Sequence, residues 1–124
     1  MKKNKIIVST KSKTYPIFFG NNILSNTGNL IKKKLPNVKK VCIISDNKLP
    51  KILIKILINS LKKYKIKIYK LTTNEKTKNF NFAYKIIEKL LKDDFNRSDC
   101  LIALGGGVIG DLTAFIANLT KRGL

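Results

Sequence analysis

The densest concentration of residues able to do chemistry is the run Gly105-Gly106-Gly107-Val108-Ile109-Gly110-Asp111, which follows an apolar stretch and precedes an amphipathic one. Glycine has no Cβ, so backbone N–H groups around Gly106 and Gly107 could approach a pyrophosphate closely. A helix starting just after them would offer the same anion unpaired N–H donors and a positive dipole end. The run fits the spacing G-x-G-x-x-G of dinucleotide-binding turns, but the acidic residue expected roughly 20 positions further on falls beyond the sequence. The pattern alone leaves a second reading open, a tight strand-to-helix turn in which Asp111 only stabilises the helix start.

Other candidates stand after predicted strands. Asp46 follows the apolar run Val41–Ser45, where a carboxylate could accept hydrogen bonds from ribose hydroxyls or cap the next helix. Glu75 and Lys78 lie in a polar loop after the next strand and could grip a nucleotide. Alternatively Thr72-x-x-Glu75 could be a capping box. Arg122 could clamp a phosphate with its guanidinium fork, or remain a solvated charge near the end of a helix.

Composition narrows the classes. The sequence has no histidine and no C-x-x-C, and Cys42 and Cys100 each sit inside an apolar run. They read as small buried hydrophobes of a reducing compartment, and no metal site is assembled from this chain. The net charge is +19, with 26 basic residues, of which only Arg97 and Arg122 are arginine, against 7 acids. Lysines spread from Lys2 to Lys121 lack the arginine clusters and interleaved aromatics of nucleic-acid readers, so the charge reads as a solvated face and no nucleic-acid partner is expected. No apolar run approaches the roughly 18 residues that span a bilayer, and Ile6-Ile7-Val8 is too short for a signal core. The expectation is a cytoplasmic protein without a membrane partner.

The elements that must position these residues can be read from periodicity. Lys5–Ser9 and Thr14–Phe19 read as an entry hairpin, with Pro16 marking an edge or irregular strand. Strand Val41–Ser45, a helix from about Leu49 to Tyr64 and strand Ile66–Leu71 form one βαβ unit, with Ile52, Ile56, Leu57 and Leu61 on the helix's apolar stripe. A second helix runs from Phe80 to about Lys92 with Phe82, Ile86, Ile87, Leu90 and Leu91 facing the core. Strand Cys100–Leu104 follows, and a last helix starts at about Asp111. The fold class expected is α/β, a Rossmann-like, mostly parallel sheet with helices on both faces, forming one domain over residues 1–124 and incomplete at its carboxyl end.

The stretch Leu101–Phe115, LIALGGGVIGDLTAF, with Arg122-Gly123 beyond it, closely resembles the signature of the 3-dehydroquinate synthases. Tyr15-Pro16-Ile17 with Gly20, Ser45-Asp46-Asn47, and Asn74-Glu75-Lys76-Thr77-Lys78 are similar to that family in type and order, so the resemblance covers nearly the whole chain. Ala114 stands where the family usually has glycine, and Thr72-Thr73-Asn74 replaces its usual Pro-Asp-Gly.

The resemblance implies an NAD site. Asp46 and Asn47 would lie at the adenosine ribose, Thr73, Asn74, Glu75, Lys76, Thr77 and Lys78 would line the nucleotide, and Gly106, Gly107, Val108, Ile109, Gly110 and Asp111 would hold the pyrophosphate and nicotinamide side. Arg122 would reach the substrate phosphate across a homodimer interface. The implied reaction, in the shikimate route to aromatic amino acids, converts 3-deoxy-D-arabino-heptulosonate 7-phosphate to 3-dehydroquinate and phosphate. It needs a divalent metal, zinc or cobalt, whose ligands belong to a helical second domain absent from this sequence. A separate chain could supply that half, a natural truncation or a fragment of a longer protein being the alternatives, and this chain is not expected to catalyse alone. Competing readings are a related sugar-phosphate cyclase, a glycerol dehydrogenase-like fragment, which Val108-Ile109-Gly110-Asp111 disfavours, and a non-catalytic basic module.

Overall fold

The computed structural model describes residues 4–72 and 80–120. Five strands and four helices alternate as expected for an α/β chain: β1 (Asn4–Ser9), β2 (Thr14–Phe19), α1 (Thr27–Lys34), β3 (Lys40–Asp46), α2 (Lys51–Ser60), β4 (Lys65–Leu71), α3 (Phe80–Lys92), β5 (Cys100–Leu104) and α4 (Gly107–Leu119). A short 3-10 turn, Ile23–Asn26, leads into α1. Strands β1 and β2 pair as an antiparallel hairpin that places Ile7 opposite Pro16. The other three form a parallel sheet in the order β4-β3-β5.

The central strand explains the architecture. Val41, Cys42, Ile43 and Ile44 are completely buried, as a strand covered on both faces should be. Alternation sends Val41 and Ile43 to one face, where they pack with Ile31 of α1 and Leu57 of α2. Cys42 and Ile44 go to the other, where Ala83, Ile86, Ile87 and Leu90 of α3 meet Ile109, Leu112 and Ile116 of α4. The sheet therefore carries one pair of helices on each face.

Several expected details are corrected. Helix α2 is shorter than its apolar pattern suggests, because Pro50 stands as its N-cap residue and the helix closes at Ser60. Its buried stripe is Ile54 and Leu57, continued by Leu61, while Ile52 is 58% exposed. On α3, Ala83 takes a core position and Phe82 and Leu91 face outward, at 37% and 41% exposure. Helix α4 begins at Gly107, four residues before Asp111, so Gly107 and Gly110 belong to the helix while Gly105 and Gly106 form its approach. Helix α1 has no counterpart among the elements expected from periodicity. Among the described residues, no helix is long and apolar enough to cross a membrane.

Candidate functional site

The parallel register brings two candidate segments to one edge. Ser45 is level with Leu104 on the neighbouring strand, so Asp46-Asn47 and Gly105-Gly106-Gly107 leave the sheet side by side at its carboxyl edge. From there the chain diverges, β3 feeding α2 on one face and β5 feeding α4 on the other. Adjacent strands whose helices depart to opposite faces leave a crevice between their loops, the place where open α/β sheets bind ligands.

The glycine turn has a definite division of labour. Gly105 has φ +159°, and a Cβ placed there would come within 2.9 Å of Ile109 Cγ1, whose side chain is fully buried in the core. Packing alone therefore demands glycine at 105. At Gly106, Gly107 and Gly110 an added Cβ would meet no described atom within 4 Å. Nothing in the fold requires those three positions to lack a side chain, and the space over Gly106 and Gly107 is open at a helix N-terminus. Gly106 is the N-cap residue in an extended conformation, and its carbonyl accepts the first helical bond from Gly110 N–H at 3.1 Å. The Gly110 amide is thus committed within the helix. The amides of Gly107, Val108 and Ile109 precede that first bond and belong to the unsatisfied first turn of α4. Ile109 can face a ligand only through its backbone, and Asp111 is exposed one turn into the helix.

Asp46 ends β3 and does not cap α2. Its Oδ1 accepts a hydrogen bond from Lys48 N–H at 2.9 Å, and its carbonyl accepts one from Leu49 N–H at 3.2 Å. This local turn holds the carboxylate at the sheet edge. Asn47 is tied to the neighbouring strand end, its backbone N–H donating to Leu71 O at 2.7 Å and its side-chain amide donating to Thr72 Oγ1 at 3.3 Å. The loop after β4 thus leaves beside Asp46-Asn47. Thr73, Asn74, Glu75, Lys76, Thr77 and Lys78 lie outside the described residues, as does Arg122.

Neither cysteine is placed or poised for chemistry. Burial pushes the Cys42 thiol up to about 12, helped by the negative charge of Asp93, and the Cys100 thiol up to about 11, helped by Asp99. Both are free and remain protonated thiols at neutral pH. Among the described residues no three metal-ligating side chains come together.

The three-stranded parallel sheet, the helices on both faces and the glycine turn at the switch point define a Rossmann-like α/β unit. Comparison with known proteins assigns its family: residues 68–124 match the family model described as 3-dehydroquinate synthase N-terminal. The 3-dehydroquinate synthase of Pelagibacter ubique is 39% identical over 120 residues, covering 97% of this chain and 33% of that protein. The 3-dehydroquinate synthase of Bacillus mycoides is 34% identical, covering 96% of this chain and 33% of its own length. By these matches the chain belongs to the 3-dehydroquinate synthase family, and it spans about one third of the length of the curated relatives it matches. Among solved structures, 2-deoxy-scyllo-inosose synthase superposes with a TM-score of 0.86 at 19% identity, over 98% of this chain and 33% of that one. That structure was determined in complex with carbaglucose-6-phosphate, NAD+ and Co2+. An NADH-dependent butanol dehydrogenase from Thermotoga maritima superposes with a TM-score of 0.63 at 20% identity, over 80% of this chain and 24% of that chain. At such identities these two likenesses speak to the fold.

Proposed function

We propose that this chain supplies the NAD-binding part of a 3-dehydroquinate synthase, a phosphate-eliminating carbon–oxygen lyase of the shikimate pathway that uses NAD and a divalent metal. The observation that carries the reading is the open space over Gly106 and Gly107: two glycines that the fold does not require, at the N-terminus of a 13-residue helix, beside a carboxylate at the switch point of the sheet. Bound there, NAD would accept a hydride from the substrate and return it within the same turnover. The residues of this chain bind and orient. The first-turn amides of α4 and the positive end of its dipole meet the pyrophosphate. The carboxylate of Asp46 accepts hydrogen bonds from the adenosine ribose, with Asn47 beside it, and Glu75 and Lys78 line the same nucleotide.

The substrate in this reading is 3-deoxy-D-arabino-heptulosonate 7-phosphate, with Arg122 at its phosphate across a homodimer interface and the metal held by residues outside this chain. A second reading, a sister sugar-phosphate cyclase acting on another sugar phosphate, draws on the close superposition with 2-deoxy-scyllo-inosose synthase. The two share the nucleotide site and differ in residues this chain does not contain.

The test is a calorimetric titration of the chain with NAD beside its Gly107→Asp variant. An added side chain at 107 has room in the fold, and a carboxylate at the first helical position suits the helix but repels a pyrophosphate. Binding by the parent and its loss in the variant support the assignment. No binding by the parent, with its helical signal intact, removes it.

A further inference from the structure

Strands β3 and β4 run in register to their last residues, where Asp46 is level with Leu71. Just past that point two bonds join the segments, and Asn47 donates both. Its backbone N–H donates to Leu71 O at 2.7 Å, and its side-chain Nδ2 donates to Thr72 Oγ1 at 3.3 Å. Leu71 is 4% exposed and belongs to the core that α3 and α4 form with the sheet. The backbone bond therefore fixes Asn47 against a rigid neighbour.

The side-chain bond does something else. Asn47 and Thr72 are both exposed, and a bond between exposed groups replaces water contacts and adds little to stability. The strands do not need it, since their ladder already runs from Lys40 to Asp46. What it settles is the orientation of a planar amide. An asparagine side chain carries two donors on nitrogen and an acceptor on oxygen, and a half-turn about its last torsion interchanges the two ends. With Nδ2 engaged by Thr72, that half-turn costs a hydrogen bond, and Oδ1 is the end left for a partner other than Thr72.

A second oriented acceptor stands on the preceding residue, where Lys48 N–H donates to the Asp46 carboxylate at 2.9 Å. Two acceptors on consecutive residues, each set by a bond to a neighbour, suit a vicinal diol, whose two hydroxyls can both donate.

We propose that Thr72 is a positioning residue of the nucleotide site: by taking the Asn47 Nδ2 donor it turns the Asn47 oxygen, with the Asp46 carboxylate, towards the hydroxyls of the adenosine ribose. This rests on the nucleotide reading above and adds to it a residue that touches no ligand. Thr72 acts only through Asn47.

Calorimetry on the 124-residue chain tests it with two probes, NAD and the NAD analogue lacking both hydroxyls of the adenosine ribose. Thr72→Val keeps the branched shape and removes the acceptor. NAD affinity should fall about three- to tenfold, the worth of one neutral hydrogen bond, with an unchanged melting temperature. The analogue should bind parent and variant alike. Thr72→Ser keeps the hydroxyl and should retain the parent affinity. In an Asn47→Ala background Thr72→Val should have no further effect, because the residue it acts through is gone. Without ligand, the Asn47 side-chain amide signals in a heteronuclear NMR spectrum should move in Thr72→Val. Equal NAD affinity of parent and Thr72→Val, an equal loss for the analogue, or an undiminished effect in the Asn47→Ala background overturns the proposal and leaves the nucleotide site standing. A lowered melting temperature in Thr72→Val would make the bond a support of the fold and overturns it as well. A parent that binds neither probe removes the nucleotide reading itself, and the role of Thr72 with it.

Discussion

Gly105 and Ile109 are in contact distance across the start of α4, such that a Cβ on the glycine would stand 2.9 Å from the isoleucine's Cγ1. Ile109 is fully buried among core residues and cannot move aside. Gly105→Ala should therefore cost about 1–3 kcal/mol of stability, the range for overpacking a tight site. Gly106→Ala and Gly107→Ala should stay within about 1 kcal/mol of the parent, since their added methyls enter open space and glycine is the poorer helix former. Thermal denaturation of the three variants checks the order. If all three fall equally, the distinction between a packing glycine and ligand-facing ones is lost.

The nucleotide reading makes a separate demand on Asp46. Asp46→Asn keeps an oxygen to accept from Lys48 N–H, so the local turn should survive. A neutral amide is a weaker acceptor for ribose hydroxyls than a carboxylate, whose hydrogen bonds are roughly twice as strong. NAD affinity should drop by about tenfold, the equivalent of about 1.4 kcal/mol, with an unchanged melting temperature. Equal affinities for parent and variant would take Asp46 out of the site.

Parts of this molecule are legible in its sequence because a local pattern decides them. The apolar run 41–45 can only be a strand covered on both faces, and the four-residue rhythm of Ile86, Ile87 and Leu90 can only be a helix against it. The errors fall where tertiary context decides. Ile52, Phe82 and Leu91 are apolar residues at the margins of their stripes, and their types do not tell which margin the sheet covers. Helix α1 opens Thr27-Gly28-Asn29, poor helix formers, and is fixed by packing on α2. In the site, the glycine run is visible, but only the position of Ile109 separates Gly105 from its neighbours. The bond between Asn47 and Thr72 is invisible to periodicity because its partners stand 25 residues apart and meet only through the parallel register.

That packing of α1 on α2 turns on Gly28 and Ser60. Gly28 N–H donates to Ser60 Oγ at 2.6 Å, and a Cβ on Gly28 would collide with the Ser60 carbonyl oxygen. Gly28→Ala must push the helices apart and should cost about 1–3 kcal/mol. Ser60→Ala leaves the helices in place but removes the acceptor of a part-buried N–H, costing about 1 kcal/mol. Urea unfolding of the two variants should give lower midpoints in that order, with unchanged slopes.

Lys40 closes the opposite end of the sheet. Its Nζ donates to the carbonyls of Asp93 and Asp94 at 2.9 and 3.0 Å, just past the end of α3, and stands 5.8 Å from the centre of the buried Phe95 ring. Its own backbone N–H donates to Asp99 Oδ1 at 3.0 Å, while Asp99 Oδ2 accepts from Asn96 N–H at 3.1 Å. Asp99 is 5% exposed, so Asp99→Ala strands two N–H groups in a part-buried place and should cost about 2–4 kcal/mol. Lys40→Met keeps the apolar stem and loses the carbonyl contacts, for about 1–2 kcal/mol. A larger loss in the lysine variant would mean that charge, and not the backbone bonds to Asp99, holds this corner.

The cysteines give a prediction in pH. Burial raises both thiols, Cys100 to about 11 and Cys42 to about 12 from an ordinary 9.0. The thiolate is the species that alkylates, so below these values the reactive fraction grows tenfold for each pH unit. Iodoacetamide modification of Cys100, which is only partly buried, should keep accelerating between pH 9 and pH 11, where an ordinary thiol has levelled off. Cys42, completely buried, should stay unmodified until the sheet opens and should react at once in denaturant. Linkage has the matching sign: with folded values above the unfolded one, the stabilisation from keeping these thiols neutral is complete below pH 9 and is lost as pH rises from 9 through 11 and 12. Cys42→Ala should make thermal stability less steeply dependent on pH across that interval. A modification profile for Cys100 that flattens at pH 9 would place its sulfur in water and contradict the burial of β5's first residue.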